Sequence, residues 1–207
     1  MLRTVKNWQH ALVALSIVGT TLLVGFGVLG AGDESVWRPE HFDAKQVTVW
    51  PEGSDGVRVR EVVDIDFGLT ERRGYQRIIP NDFGVPTDIV ASSPDANADV
   101  TVIPIGAETR IRLGDPDVTF TNRHRYVLEY TLPDAELSSG VLALHIIGTD
   151  ELFETERFEV VLTGMSFDGV ECDAGEFGAY GGCGFELDAQ GNQVAVIEPL
   201  GPNEGIT

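Results

Sequence analysis

Positive charge is what this sequence has least of. Its 207 residues include 14 lysines and arginines against 33 aspartates and glutamates, a formal charge of −19 at neutral pH. Lysine is nearly missing, with Lys6 and Lys45 the only two. A surface this acidic repels nucleic acid and anionic lipid headgroups, which excludes DNA and RNA as partners. A second long apolar run is also absent: nothing after residue 32 is long enough to cross a bilayer as a helix. No amphipathic helix pattern exceeds two turns, so the crossover helices that a parallel α/β sheet needs are missing. Cysteine is limited to Cys172 and Cys183, without a Cys-x-x-Cys redox pair or histidines beside them to complete a metal site. The sequence has no Gly-x-Ser-x-Gly, no His-Glu-x-x-His and no phosphate loop. The expectation is a chain that is not an enzyme and has no catalytic residues, cofactor or metal.

An export pattern opens the chain. Residues 1–10 carry Arg3 and Lys6 and no acid, residues 11–29 are uncharged, and Gly30-Ala31-Gly32 precede Asp33. Basic, apolar, small and then acidic is the order of an export signal, with the positive flank held in the cytoplasm. A cleaved signal has an apolar core of about 7–15 residues and a spanning helix about 20, so the segment fits either a signal peptide or a membrane anchor. Residues 1–32 are assigned to that role, 33–44 to a linker and 45–207 to an extracytoplasmic domain. The expected location is the cell membrane, with the domain outside the cytoplasm and the N-terminal segment as its contact with the bilayer. Other envelope proteins are the expected partners.

Period-two alternation dominates the rest. In 56–67, Val57, Val59, Val63, Ile65 and Phe67 share one face, while Arg58, Arg60, Asp64 and Asp66 share the other; Glu61 alone breaks the apolar face. Thr109, Ile111 and Leu113 oppose Arg110 and Arg112. Tyr126, Leu128, Tyr130 and Leu132 oppose Arg125 and Glu129, and Phe158, Val160 and Leu162 oppose Arg157 and Glu159. Segments 141–147 and 194–197 are apolar throughout, which predicts strands covered on both faces and makes His145 a core residue. Turn signals such as Pro51-Glu52-Gly53 and Gly114-Asp115-Pro116 separate the strands. The predicted class is all-β, an antiparallel, immunoglobulin-like β-sandwich preceded by one apolar helix.

In an exported protein an even cysteine count predicts a disulfide, here Cys172–Cys183 across a glycine-rich loop. The candidate ligand-binding residues are Arg72, Arg73 and Arg77, with Arg125 from a second basic cluster, because arginine forks suit carboxylates and phosphates. The competing reading pairs these arginines with local acids. Asp64 with Asp66, and Asp115 with Asp117, are pairs with the oxygens Ca²⁺ needs, but no calcium-binding loop accompanies them.

At Gly74-Tyr75-Gln76-Arg77-Ile78-Ile79-Pro80 the chain resembles the YciQ-like family of predicted bacterial membrane proteins of unknown function. The Tyr126-Val127-Leu128-Glu129-Tyr130 stretch and the tail Leu200–Thr207 are similar to further family features. The likeness runs over roughly residues 45–207, but a tryptophan-containing segment expected after the tyrosine strand is absent. It implies an export signal, an extracytoplasmic β-sandwich and later transmembrane helices, with this chain cut short before the final strand. The family has no established activity, and the expected function of this chain is that of a non-enzymatic interaction or sensing module. The alternative is an envelope domain that binds a cation or an anionic cell-wall polymer.

Overall fold

Two long strands joined by a tight turn form the spine of the fold. β1 (His41–Glu52) and β2 (Gly56–Asp66) pair antiparallel, and Gly53 makes the turn with a φ of +70°, which favours glycine. The computed structural model describes residues 38–135, 142–167 and 169–207. The apolar segment 11–29, with the helix expected there, lies outside them. Among the described residues no helix is long and apolar enough to cross a membrane.

The remaining strands are β3 (Tyr75–Pro80), β4 (Thr87–Ser92), β5 (Val100–Ile105), β6 (Glu108–Leu113), β7 (Arg123–Leu132), β8 (Phe158–Leu162), β9 (Ala174–Gly175), β10 (Glu186–Leu187), β11 (Gln193–Ile197) and β12 (Gly205–Ile206). They form a seven-stranded sheet in the order β10-β11-β8-β1-β2-β7-β4, a three-stranded sheet β3-β6-β5 and a short β9-β12 pair. The all-β class and the predominance of antiparallel pairing hold. The exception is β1 with β8, which run parallel with Lys45 opposite Phe158.

Alternation places the core as the sequence predicts. Val57, Val59, Val63 and Ile65 of β2, Tyr126 and Leu128 of β7, Ile111 and Leu113 of β6, and Phe158 and Val160 of β8 are all buried. Aromatic contacts join the two larger sheets: Tyr75 of β3 meets Phe42 edge-on and stacks on Tyr126, each with centroids 6.1 Å apart. The three-stranded sheet therefore forms a second layer over the central one.

β1 begins at His41, inside the segment read as linker, and its pattern is masked in the sequence. A register shift between Phe42 and Ala44 puts Phe42, Lys45, Val47 and Val49 all in the interior, so strict alternation fails across the bulge. A lysine at an inward position hides the strand further.

Two readings are corrected. Residues 142–147 form no regular strand; Ile147 makes a single bridge to Ile206, and His145 is exposed, with Nδ1 3.3 Å from the Thr207 hydroxyl. An apolar run does not specify a strand without alternation, and this one instead covers the end of the core with Leu144, Ile146 and Ile147. Segment 194–197 is a strand but is not covered on both faces, since Val196 is 42% exposed while Ala195 is buried.

The predicted disulfide is present, with Cα atoms 5.3 Å apart and the half-cystines 11 positions apart in sequence. Replacing Cys172 and Cys183 by serine is expected to lower stability by about 2–3 kcal/mol, because the open loop regains conformational freedom in the unfolded chain. Chemical denaturation with and without reductant measures it.

Candidate functional site

A cleft of about 360 Å³ opens where the three-stranded sheet meets the start of β1 and the segment 147–153. Local backbone chemistry builds its rim. Gly74 has a φ of +113°, and a Cβ there would lie 1.9 Å from the Leu113 carbonyl oxygen, so only glycine allows this crossing. Arg72 exchanges backbone hydrogen bonds with Phe120, at 2.9 and 2.7 Å, which pins the segment before β3. The Arg73 side chain is left exposed at the mouth. Gln76 and Arg112 sit opposite each other on β3 and β6 and extend that rim.

Below the rim lies a buried charged network. Arg77 donates to Glu61 at 2.9 Å and to the Ile146 carbonyl at 2.7 Å, and the Tyr130 hydroxyl donates to the same Glu61 oxygen at 2.8 Å. Burial works against the charged Arg77 guanidinium, but Glu61, Tyr130 and Tyr75 together raise its pKa above the ordinary arginine range. Glu61, the residue that breaks the apolar alternation of β2, is thus the partner the buried arginine requires. Nearby, Lys45 Nζ lies 2.5 Å from Glu151 and 3.4 Å from the centroid of the Phe42 ring. Desolvation pulls the Lys45 pKa down to about 8, against the opposing pull of Glu151. The buried Tyr75 hydroxyl has no hydrogen-bond partner among the described residues. Burial, then Glu61 and Glu151, raise its pKa well above the ordinary tyrosine value.

The four predicted ligand-binding arginines separate. Arg72 is committed to Glu40 through two hydrogen bonds of 2.6 Å. Arg77 is buried and structural. Arg125 is on β7, bound to Asp64 at 2.5 and 2.6 Å. Only Arg73 stands free at the cleft. For three of the four, pairing with local acids is the outcome.

Sequence reasoning placed Arg110 and Arg112 on a polar strand face and gave them no role. Among the described residues, Arg73, Arg110 and Arg112 are the arginines without a carboxylate within 4.0 Å; every other one has such a partner. Arg110 and Arg112 share the outer face of β6, and the Nε atoms of both are buried without a hydrogen-bond partner. The signal was legible as an Arg-Ile-Arg alternation with no acid at the cross-strand positions of β3 or β5.

A second cluster joins His41, Asp43 and Asp66, whose ligand atoms lie within 4.8 Å of one another. Cross-strand register assembles it, with His41 opposite Asp66. Arg123 already occupies the cationic position there, 2.7 Å from Asp43 and 3.4 Å from Asp66. Asp64 and Asp66, one of the two suggested calcium pairs, are likewise engaged by Arg125 and Arg123.

No family model matches the sequence, and no curated protein matches it. Solved structures do align. A leukotriene A4 hydrolase from Saccharomyces cerevisiae matches with a TM-score of 0.46 at 5% identity, over 81% of this chain and 28% of that one. An M1 zinc metallopeptidase from Deinococcus radiodurans matches with a TM-score of 0.37 at 10% identity, over 82% and 42%. A proposed protease from Parabacteroides distasonis matches with a TM-score of 0.38 at 5% identity, over 79% and 36%. The chain thus spans well under half of each.

The expectation that the chain is not an enzyme is corrected, because strand register assembles a cluster of metal-ligating residues that the sequence does not announce. The exclusion had rested on missing linear motifs, and a cluster assembled by strand register, such as His41, Asp43 and Asp66, leaves no such motif. No residue role is transferred from the aligned structures.

Proposed function

We propose that the folded body is an extracytoplasmic recognition module of a membrane-associated protein, and that it binds an anionic ligand through Arg73, Arg112 and Arg110. One observation carries this reading. In a chain with 33 acids, the described arginines that lack an acidic partner fall together, at the cleft mouth and on the adjoining face of β6. An unpaired guanidinium with a partly desolvated Nε gains from a carboxylate or phosphate that presents two oxygens. The order of charges in the leader and the YciQ-like resemblance support a place at the cell membrane. In its layering the body is of the immunoglobulin-like sandwich kind, with a strand order of its own. An anionic cell-wall polymer has the required charge. Cation binding is the weaker reading, because Arg123 and Arg125 already neutralise Asp43, Asp66 and Asp64.

Citrate tests the anion site. Isothermal titration at low ionic strength should give saturable heat with the wild type. Arg73→Glu combined with Arg112→Glu should weaken binding about tenfold or more, whereas Arg125→Glu should leave it unchanged. Equal affinity in all three proteins rules the site out.

A further inference from the structure

Strand β5 ends the three-stranded sheet. Among the described residues it pairs with β6 and with no other strand. It carries no charged residue, and Val100, Val102 and Ile103 are 38%, 44% and 36% exposed. Edge strands are ordinarily blunted by charge, proline, a bulge or a covering element, because their free backbone groups are a template for another strand; within β5 Pro104 is the one such device.

The direction of those backbone groups follows from two observations. Pro104 has no N–H, so its paired position opposite Thr109 is one at which β5 does not bond to β6. Gly114 N–H donates to the Asp99 carbonyl at 3.0 Å, which puts Asp99, and with it Thr101 and Ile103, on the bonded side. Val100, Val102 and Pro104 therefore turn two N–H groups and three carbonyls outward. Their side chains share a face with Leu113, Ile111 and Thr109, all buried, and overhang the edge of the core. Thr101 and Ile103 lie on the opposite face, beside Arg112 and Arg110.

The two faces together define the occupant. We infer that β5 is a strand-addition site for an extended acidic segment of a partner protein. The segment pairs antiparallel with β5. Its apolar residues lie against Val100 and Val102, and its alternate residues are aspartate or glutamate within reach of Arg110 and Arg112. The inference rests on the anion reading above and narrows it from an anion to an acidic peptide. A second copy of this chain is the wrong occupant, because β5 against β5 would supply no carboxylate to either set of arginines.

The probe is a fluorescein-labelled hexapeptide of alternating valine and glutamate, titrated into the full chain and read by anisotropy. Binding should be saturable, and Arg110→Glu with Arg112→Glu should weaken it at least about tenfold. N-methylation of the valine amides should abolish it, and N-methylation of the glutamate amides should not, because in this register the valine N–H groups point at β5. Val102→Pro should act like valine methylation while leaving citrate binding intact, since it removes only an outward N–H. No binding, or binding indifferent to both Val102→Pro and valine methylation, overturns strand addition. Retained citrate binding in that case leaves the anion site standing, with a polymer read by charge as its ligand. If citrate fails on the wild type, the anion reading itself falls.

Discussion

Replacing Arg77 by alanine is expected to destabilise the fold by about 3–5 kcal/mol, more than any surface charge change in this protein. The substitution leaves Glu61 buried without its cation, holding only the Tyr130 hydroxyl. It also strips the Ile146 carbonyl of its donor. The cost is the desolvation of a lone carboxylate, not the worth of the pair, so removing both charges together should cost much less than the sum of the single changes. Urea denaturation of Arg77→Ala, Glu61→Leu and the double variant forms the cycle that checks it. Additive losses would show that the two side chains act independently. Arg125→Ala, which breaks an exposed pair with Asp64, should change stability by about 1 kcal/mol or less.

Raising the pH from about 8 to 10 should increase stability through Lys45. The ammonium is buried, and desolvation lowers its pKa from 10.5 to about 8. Between those values the unfolded chain binds more protons than the folded one, so stability rises with pH, by on the order of 3 kcal/mol over the full interval. Below pH 8 the charged amine is present in both states and this contribution is flat. Above pH 10 the sign reverses for Tyr75 and Tyr130. Burial raises both far above 10, and their ionisation in the unfolded chain then favours unfolding. Lys45→Met keeps the chain length over the Phe42 ring and should remove the rise between pH 8 and 10. Denaturation midpoints at several pH values make the comparison, and an unchanged slope in the variant would discard the assignment to Lys45.

Lys45 and Glu61 also mark the limit of sequence reading. Both are charged residues at inward positions, and in the sequence each is only an interruption of a hydrophobic pattern. The three-dimensional partner supplies the reason for each. Arg77 arrives from β3 to meet Glu61, and Glu151 arrives from the segment before β8 to meet Lys45. Strand β1 was hidden for a related cause, since its bulge resets the alternation after Phe42. The candidate site was only partly legible. Arg73 lies in the cluster singled out from the sequence, but the same cluster included Arg72 and Arg77, which the fold uses for ion pairs. Arg110 and Arg112 gained significance only when every other described arginine was found to have an acid.

The sequence by itself determined the all-β class, the inward faces of β2, β6, β7 and β8, and the Cys172–Cys183 bond. Each of these depends on local periodicity or on a short loop, and side chains two residues apart share a face whatever the rest of the chain does. Tertiary structure alone decided the parallel β1–β8 pairing, the exposed edge at β5 and the division of the arginines into paired and free. Those outcomes depend on which distant segments meet. An ion pair or an open edge is a property of two pieces of chain, and neither piece carries it alone.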